Sequence, residues 1–496
     1  LYTKPVIESL AEILDQTSTS RTVYQQLSAT AQLIIKTCTE ESQRKLLLEA
    51  GLLELLAAKM TAVAAADAPS RQQDATPDAL PTMCLPDILD AISAIIKDSH
   101  YHTARFLYSQ PIQNLFGWPK AGTSSTYDAS QSHWDKLIPR LQTLQSKNDP
   151  YTKTWPLLGA YGSTTGESTL KLPNIESFQQ ASSRNVVTDE SETPLFTWLM
   201  FVARRGDGRE RLAACWLLAL LKKFGDRWHF NDPSKTTRER HFSYLIVPLV
   251  VKMIEDASEY AKTMNAAVFT EKEEIRLILE RSPIVLAELC VGNKTLQNAT
   301  VDAKVLPVLV QILKKSFDPV TTSSKPLWQP KNSAPPVREP INPSSSVLGP
   351  SGLGADVLHA FRYREGALLA LAAIADSQDG LRKRIIELGT ATHIIDSLVP
   401  YPANADDSTP VHKASTTGKD GNPDAVVIAA CALTRSLSRS ISVLRTSLID
   451  HGVAQPIFDL ITRPNVKVQI AATEVITNLV LDVSPMRTVS LSFKCF

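Results

Sequence analysis

The stretch ALLALAAIADSQDGLRKRIIELGTATHIIDSL, Ala367 to Leu398, decides the fold. It reads as an apolar helix, a short charged helix, a glycine turn and a second apolar helix. The same layout recurs in LSATAQLIIKTCTEESQRKLLLEAGLLELLAAKM, Leu27 to Met60, and in AACALTRSLSRSISVLRTSLIDHGVAQPIFDLI, Ala429 to Ile461. A unit of this size cannot bury its apolar face alone, so recurrence predicts copies stacked on one another. Ala430, Leu433 and Leu437 fall at i, i+3 and i+7, and Ala472, Val475, Ile476 and Leu479 at i, i+3, i+4 and i+7, the period of one helix face. No comparable stretch alternates as a half-buried strand would.

Outward from these units, the turn residues set the period. Gly51, Gly389 and Gly452 occupy the turn, where a residue without Cβ leaves the short helix in a left-handed conformation. Gln110 and Lys304 are expected at the same place in two further copies. Positions 389 and 452 are 63 apart, 304 and 389 are 85 apart, and 51 and 110 are 59 apart. Leaving out polar inserts of about 23, 43 and 20 residues (401–423, 316–358 and 61–80) reduces these to about 40, 42 and 39, close to the roughly 40–47 of armadillo and HEAT repeats. The longest insert carries Pro319, Pro326, Pro330, Pro335, Pro336, Pro340, Pro343 and Pro350 among serines, a composition that forbids regular helix.

The expectation is an all-α chain, an armadillo/HEAT-type right-handed α-solenoid with long disordered loop insertions. N-terminal repeats are expected over 1–118, with an insert at about 61–80, and central repeats over 192–315. C-terminal repeats follow over 359–485, with an insert at about 401–423. Between them lie a poorly patterned segment, 119–191, with one helix expected around Trp134 to Gln145, and the Pro/Ser-rich insert 316–358. Helices near Pro194 to Arg204, Glu210 to Lys223 and Arg240 to Ile254 are expected to make another unit, and Thr270 to Leu313 one more.

Composition narrows the function. Of 496 residues 43% are hydrophobic, and 52 Lys and Arg against 51 Asp and Glu leave a net charge of +1, no global field for nucleic acid or anionic lipid. The longest apolar runs, Ala213 to Leu221 and Tyr244 to Val251, fall short of the roughly 18 residues of a membrane span. No tripartite leader opens the chain. The six cysteines are far apart, and Cys38, Cys215, Cys290 and Cys431 lie in apolar helical patterns, which predicts reduced buried thiols and a cytoplasmic and nuclear protein.

Nothing resembles a catalytic centre, and no cofactor, metal or small-molecule substrate is expected. Cys-x-x-Cys, His-Glu-x-x-His, Gly-x-Ser-x-Gly and the phosphate-binding Gly-rich loop are all missing. His100 and His102 read as solvent-facing turn residues rather than metal ligands. Gly349, Gly352 and Gly354 follow no strand and read as a hinge. Arg382, Lys383 and Arg384 read as a solvated helix face paired with acids such as Glu387. Arg435 and Arg439, four apart on one helix, are candidates to face a partner together. Trp216, in LAACWLLALL, and Asn478, preceded by Glu474, stand where peptide-gripping solenoids place Trp and Asn, but they never share a unit. The candidate partner surface is therefore Trp216, Arg435, Arg439, Glu474 and Asn478.

One segment carries a specific resemblance. VVIAACALTRSLSRSISVLRTSLIDHGVAQPIFDLITRPNVKVQIAATEVITNLVLDVSP, Val426 to Pro485, is similar to the armadillo-repeat subunit of the GID/CTLH E3 ubiquitin ligase, the family called armadillo-repeat-containing protein eight in animals and vacuolar import and degradation protein in fungi. The most telling residues are Ser436 to Ser440, Leu444 to Ser447, Asp450, His451, and the pair Ser484 and Pro485. RKRIIELG, Arg382 to Gly389, is similar too, and the match covers Arg362 to Pro485, with the Pro-rich inserts of the kind found in filamentous fungi. The resemblance implies a non-catalytic scaffold that docks on LisH-CTLH core subunits and presents a substrate receptor, sending targets such as gluconeogenic enzymes to the proteasome. The alternative is a generic armadillo peptide-binding protein of nuclear transport or adhesion. After Pro485 the family continues into further repeats, whereas residues 486–496 form an aberrant tail, so a C-terminally truncated chain is expected and no receptor-contact residue is transferred.

Overall fold

The computed structural model describes residues 2–17, 20–66, 84–116, 194–225, 234–263, 269–319, 355–400, 421–439 and 448–480. The helix expected at Trp134 to Gln145, the segment 119–191, the glycines 349 to 354 and the tail 486–496 lie outside them. Among the described residues there is no strand; one parallel bridge joins Pro400 to Asn422.

The helices, in chain order, are α1 (Lys4–Asp15), α2 (Arg21–Thr37), α3 (Glu41–Glu49), α4 (Leu52–Ala66), α5 (Leu85–Ile96), α6 (His100–Leu107), α7 (Gln110–Phe116), α8 (Pro194–Arg205) and α9 (Gly208–Gly225). Next come α10 (Ser234–His241), a π turn (Phe242–Ile246) running into α11 (Val247–Thr263), α12 (Phe269–Cys290), α13 (Lys294–Asp302) and α14 (Val305–Lys315). The last are α15 (Ala355–Ala375), α16 (Asp379–Glu387), α17 (Ala391–Ser397), α18 (Asp424–Ser438), α19 (Ala454–Ile461) and α20 (Val466–Leu479).

Local chemistry explains the boundaries. Ser20 and Ser99 cap the starts of α2 and α6 by accepting from the amides of Val23 and His102, and Asn465 does the same for Lys467 at α20. Before α3, Gln43 reaches back to the Glu40 amide at 3.0 Å, half of a capping box. The turn glycines behave as the sequence predicts: Gly51, Gly389 and Gly452 have φ of 77°, 74° and 85°. Lys304 also sits left-handed, at φ 60°. Gln110 does not: it opens α7, and the turn before it is closed by the Ser109 hydroxyl donating to the Phe106 carbonyl at 2.7 Å. A side-chain hydroxyl there satisfies the carbonyl that a left-handed residue would otherwise help to satisfy.

Two compact units divide the chain, Leu1–Met253 with Asn298–Thr300, and Ile254–Gln297 with Val301–Phe496. In the first, α2 packs on α5 and α5 on α9, while α4 packs against α1, α5 and α7. Its core includes Ile34, Leu53, Ile92, Trp198 and Leu217, each of them buried, and burying one such Leu or Ile side chain is worth about 1.5–3 kcal/mol. In the second, α12, α15, α18 and α20 form a row in which each packs on the next, and the small residues Ala367, Ala370, Ala429 and Ala430 line it. At one point the approach is closest. Pro283 lies inside α12 and gives no N–H to the ladder, and Gly366 of α15 packs beside it; a Cβ on Gly366 would stand 2.9 Å from the Glu280 carbonyl oxygen. This is helical repeat packing in each unit.

The described edges of the inserts are tighter than composition suggests. Residues 61–66, read as insert, continue α4 with Val63 and Ala64 buried. Ser316 is buried and caps α14, residues 355–358 already belong to α15, and Asn422 is buried just before α18. Ser316 and Asn422 read as loop because only their tertiary partners make their burial favourable.

Candidate protein interface

Three successive helices of the second unit lace their ends together. Arg435, in the last turn of α18, donates to Glu474 of α20 at 2.8 Å, and Asn478 of α20 donates its side-chain amide to the Arg435 carbonyl at 3.1 Å. Arg439, which caps α18, pairs with Asp376, the residue that follows α15. Both arginines lie where the carbonyl end of α18 favours positive charge. The side chains stay accessible: 41% for Arg435, 46% for Glu474, 39% for Arg439 and 34% for Asp376. The result is a half-exposed ridge crossing three helices, two arginines flanked by an acid on each side. A protein partner can compete for such pairs at small intramolecular cost, because exposed ion pairs contribute about 0–1 kcal/mol each.

Similar lacing joins α12 to α15. Arg276 pairs with Asp356, and Glu280 accepts from His359 at 2.7 Å and from Arg362 at 3.4 Å. Asn465 donates to Asp424 at 2.6 Å between α20 and α18. Sequence reasoning missed Asp376, Glu280, His359 and Asp356. A signal existed for the first: Arg439 and Asp376 are 63 residues apart, the separation of Gly452 and Gly389, so they occupy equivalent positions of consecutive repeats.

The expected site residues are only partly brought together. Arg435, Glu474 and Asn478 form one contact set, with Arg439 one turn away. Trp216 belongs to the first unit and is buried at 7% exposure in α9, which packs on α5, α6 and α8. It is a core residue, because its helix is covered on several sides, and it presents little to a partner. Asn478 serves the α18 main chain. Arg382 is also buried rather than solvated; it donates to the carbonyls of Ala375 at 2.8 Å and Asp376 at 2.5 Å, closing the end of α15, whereas Lys383 does pair with Glu387 at 3.9 Å. His102 is not solvent-facing: it is buried in α6, its Nδ1 donating to the Ile95 carbonyl at 3.0 Å and its Nε2 3.7 Å from Glu41.

The five described cysteines are buried thiols rather than disulfides. Burial pushes the thiols of Cys215 and Cys431 up to about 12 and that of Cys38 to about 11, away from nucleophilic or ligating use. Among the described residues no group of three or more His, Cys, Asp or Glu could hold a metal ion, and no helix is long and apolar enough to cross a membrane.

No family model matches the chain. The chain is similar to GID complex subunit 5 of Schizosaccharomyces pombe, 36% identical over 123 residues, 25% of this chain and 13% of that one. It is also similar to armadillo repeat-containing protein 8 of Mus musculus, 28% identical over 143 residues, 29% of this chain and 18% of that one. The Xenopus laevis protein of the same name is 30% identical over 141 residues, 28% of this chain and 17% of that one. The matched stretch is thus less than a fifth of these relatives' length. Among solved structures, a designed armadillo repeat protein, YIII(Dq)4CqI, aligns over 62% of this chain and 85% of its own at 13% identity with a TM-score of 0.34. Over the matched stretch, this helical-repeat chain is a sequence relative of GID complex subunit 5 and of armadillo repeat-containing protein 8.

Proposed function

We propose that the chain is a non-catalytic scaffold or adaptor subunit of a GID/CTLH-type E3 ubiquitin ligase, linking LisH-CTLH core subunits to a substrate receptor in the cytoplasm and nucleus. The supporting observation is the similarity to proteins named as GID complex subunit 5 and armadillo repeat-containing protein 8. The half-exposed ridge of Asp376, Arg439, Arg435 and Glu474 is the face offered to another subunit, since it presents two arginines flanked by acids and would recognise a protein surface of mixed charge rather than a polyanion. Targets bound by the receptor, gluconeogenic enzymes in fungi among them, would then be ubiquitylated by other subunits and degraded by the proteasome.

The test is affinity purification of the tagged chain from its native host. Recovery of RING-type and LisH-CTLH subunits in constant ratio is the expected result. A purification that yields nuclear-transport cargo and none of those subunits would overturn the reading.

A further inference from the structure

Arg364 of α15 is fully buried. Placing a guanidinium in a core is unfavourable unless its N–H groups are met by acceptors of good geometry. Its acceptors come from two helix ends. At the end of α14, Ser316 accepts twice: its hydroxyl from Nε at 3.1 Å and its carbonyl from Nη2 at 2.8 Å. The same hydroxyl donates onward to the Leu313 carbonyl at 2.6 Å. At the end of α17, the contact passes through Asn422, whose Oδ1 accepts from Nη1 and whose Nδ2 donates to the carbonyls of Asp396 at 2.8 Å and Val399 at 2.9 Å.

Phe317 completes the site, its ring centre 3.5 Å from the guanidinium carbon and its edge against His393 of α17 at 5.2 Å. The cation therefore lies between the carbonyl ends of two helices, each of which favours positive charge. Ser316 and Phe317 stand where the chain leaves α14. Pro400 and Asn422, bridged to each other, stand where it leaves α17 and returns to α18.

We infer that Arg364 couples these two chain exits, so that order at the Ser316 root and order at the Asn422 root are one cooperative event. Loosening one root exposes a buried cation, and that cost falls on the other root. A ligand or modification that pulls on either exit is then felt at both, whichever assembly the chain enters.

Hydrogen exchange on the full chain, followed by mass spectrometry, tests this. Asn422→Ala is expected to speed exchange at Ser316 and Phe317, as well as at Leu398 and Val399, by about fivefold or more. Phe317→Leu should speed exchange at Leu398 and Val399 to a similar degree. Asn422→Asp still accepts from Arg364 but cannot donate to Asp396 and Val399, so the faster exchange at Leu398 and Val399 should again be accompanied by faster exchange at Ser316 and Phe317. Arg364→Lys, which keeps the charge and loses the fork, should loosen both roots even if Asn422→Ala fails to fold. Ile457→Ala, a core truncation in α19, controls for general destabilisation. The inference is overturned if Asn422→Ala, Phe317→Leu and Arg364→Lys each change only one root, or if Ile457→Ala reproduces their pattern.

Discussion

Asn478 donates its side-chain amide to the main-chain carbonyl of Arg435 at 3.1 Å, on the residue whose guanidinium reaches Glu474, one turn away, at 2.8 Å. The last turn of α18 is thus held by α20 through both its backbone and its side chain. That bond takes one of the amide's two N–H groups and fixes the side chain against α18. The arginines and acids, being half-exposed, are the groups proposed to meet a partner instead.

Charge reversal at the ridge should separate binding from folding. Arg435→Glu combined with Arg439→Glu is expected to reduce recovery of partner subunits at least tenfold in pull-downs, while the thermal midpoint moves little, since each exposed pair is worth about 0–1 kcal/mol. Exchanging the pair, Arg435→Glu with Glu474→Arg, restores the internal contact but inverts the surface. Full recovery of partners by the exchanged pair would show that the contact matters only for folding.

Gly366 should tolerate no side chain. A Cβ there would lie 2.9 Å from the Glu280 carbonyl oxygen and 3.4 Å from Pro283 Cβ, and helix backbones cannot yield as flexible side chains do. Gly366→Ala is expected to lower stability by about 1–3 kcal/mol, read as a shift of the urea midpoint. An unchanged midpoint would mean that α12 and α15 separate freely.

Two turn positions should respond in opposite directions. Gly389, at φ 74°, should lose about 1–2 kcal/mol on substitution by Ala, the cost of holding an L-residue left-handed. Lys304 already holds φ 60°, so Lys304→Gly should be neutral or stabilising, by up to about 1 kcal/mol after the added freedom of the unfolded chain is counted. Chemical denaturation of the two variants side by side checks the pair, and a loss at Lys304→Gly would refute the backbone argument.

Alkaline pH should weaken the fold through its thiols. Burial raises Cys38 to about 11 and Cys215 and Cys431 to about 12 from the ordinary 9.0, and it also raises the Tyr363 phenol. Above pH 9 the unfolded chain loses these thiol protons while the folded chain keeps them, so stability is full below that pH and falls as pH rises toward 11 to 12. Urea midpoints at pH 8 and pH 10 should differ, with a smaller difference in Cys215→Ala and Cys431→Ala. Native thiols should also react with a disulfide reagent far more slowly than denatured ones.

Sequence alone determined the repeat. The apolar period of Ala430, Leu433 and Leu437, and the glycines at 51, 389 and 452, act within a few residues of themselves, so helix, turn and repeat were legible without coordinates. The same holds for the buried cysteines, which sit in apolar helical runs. The resemblance around Val426 to Pro485 was legible for another reason: it is carried by residue identity rather than by shape.

Tertiary structure decided which side chains face outward and which meet. Trp216, Arg382, His102 and Asn422 each look ambiguous or exposed in sequence, yet each is buried, because burial depends on helices that arrive from elsewhere in the chain. The pairs Arg439 with Asp376 and Arg364 with Asn422 exist only once repeats stack, bringing together groups 63 and 58 residues apart. Local preference sets the helices. Their long-range packing sets the partners of every polar side chain, and no short-range pattern encodes that.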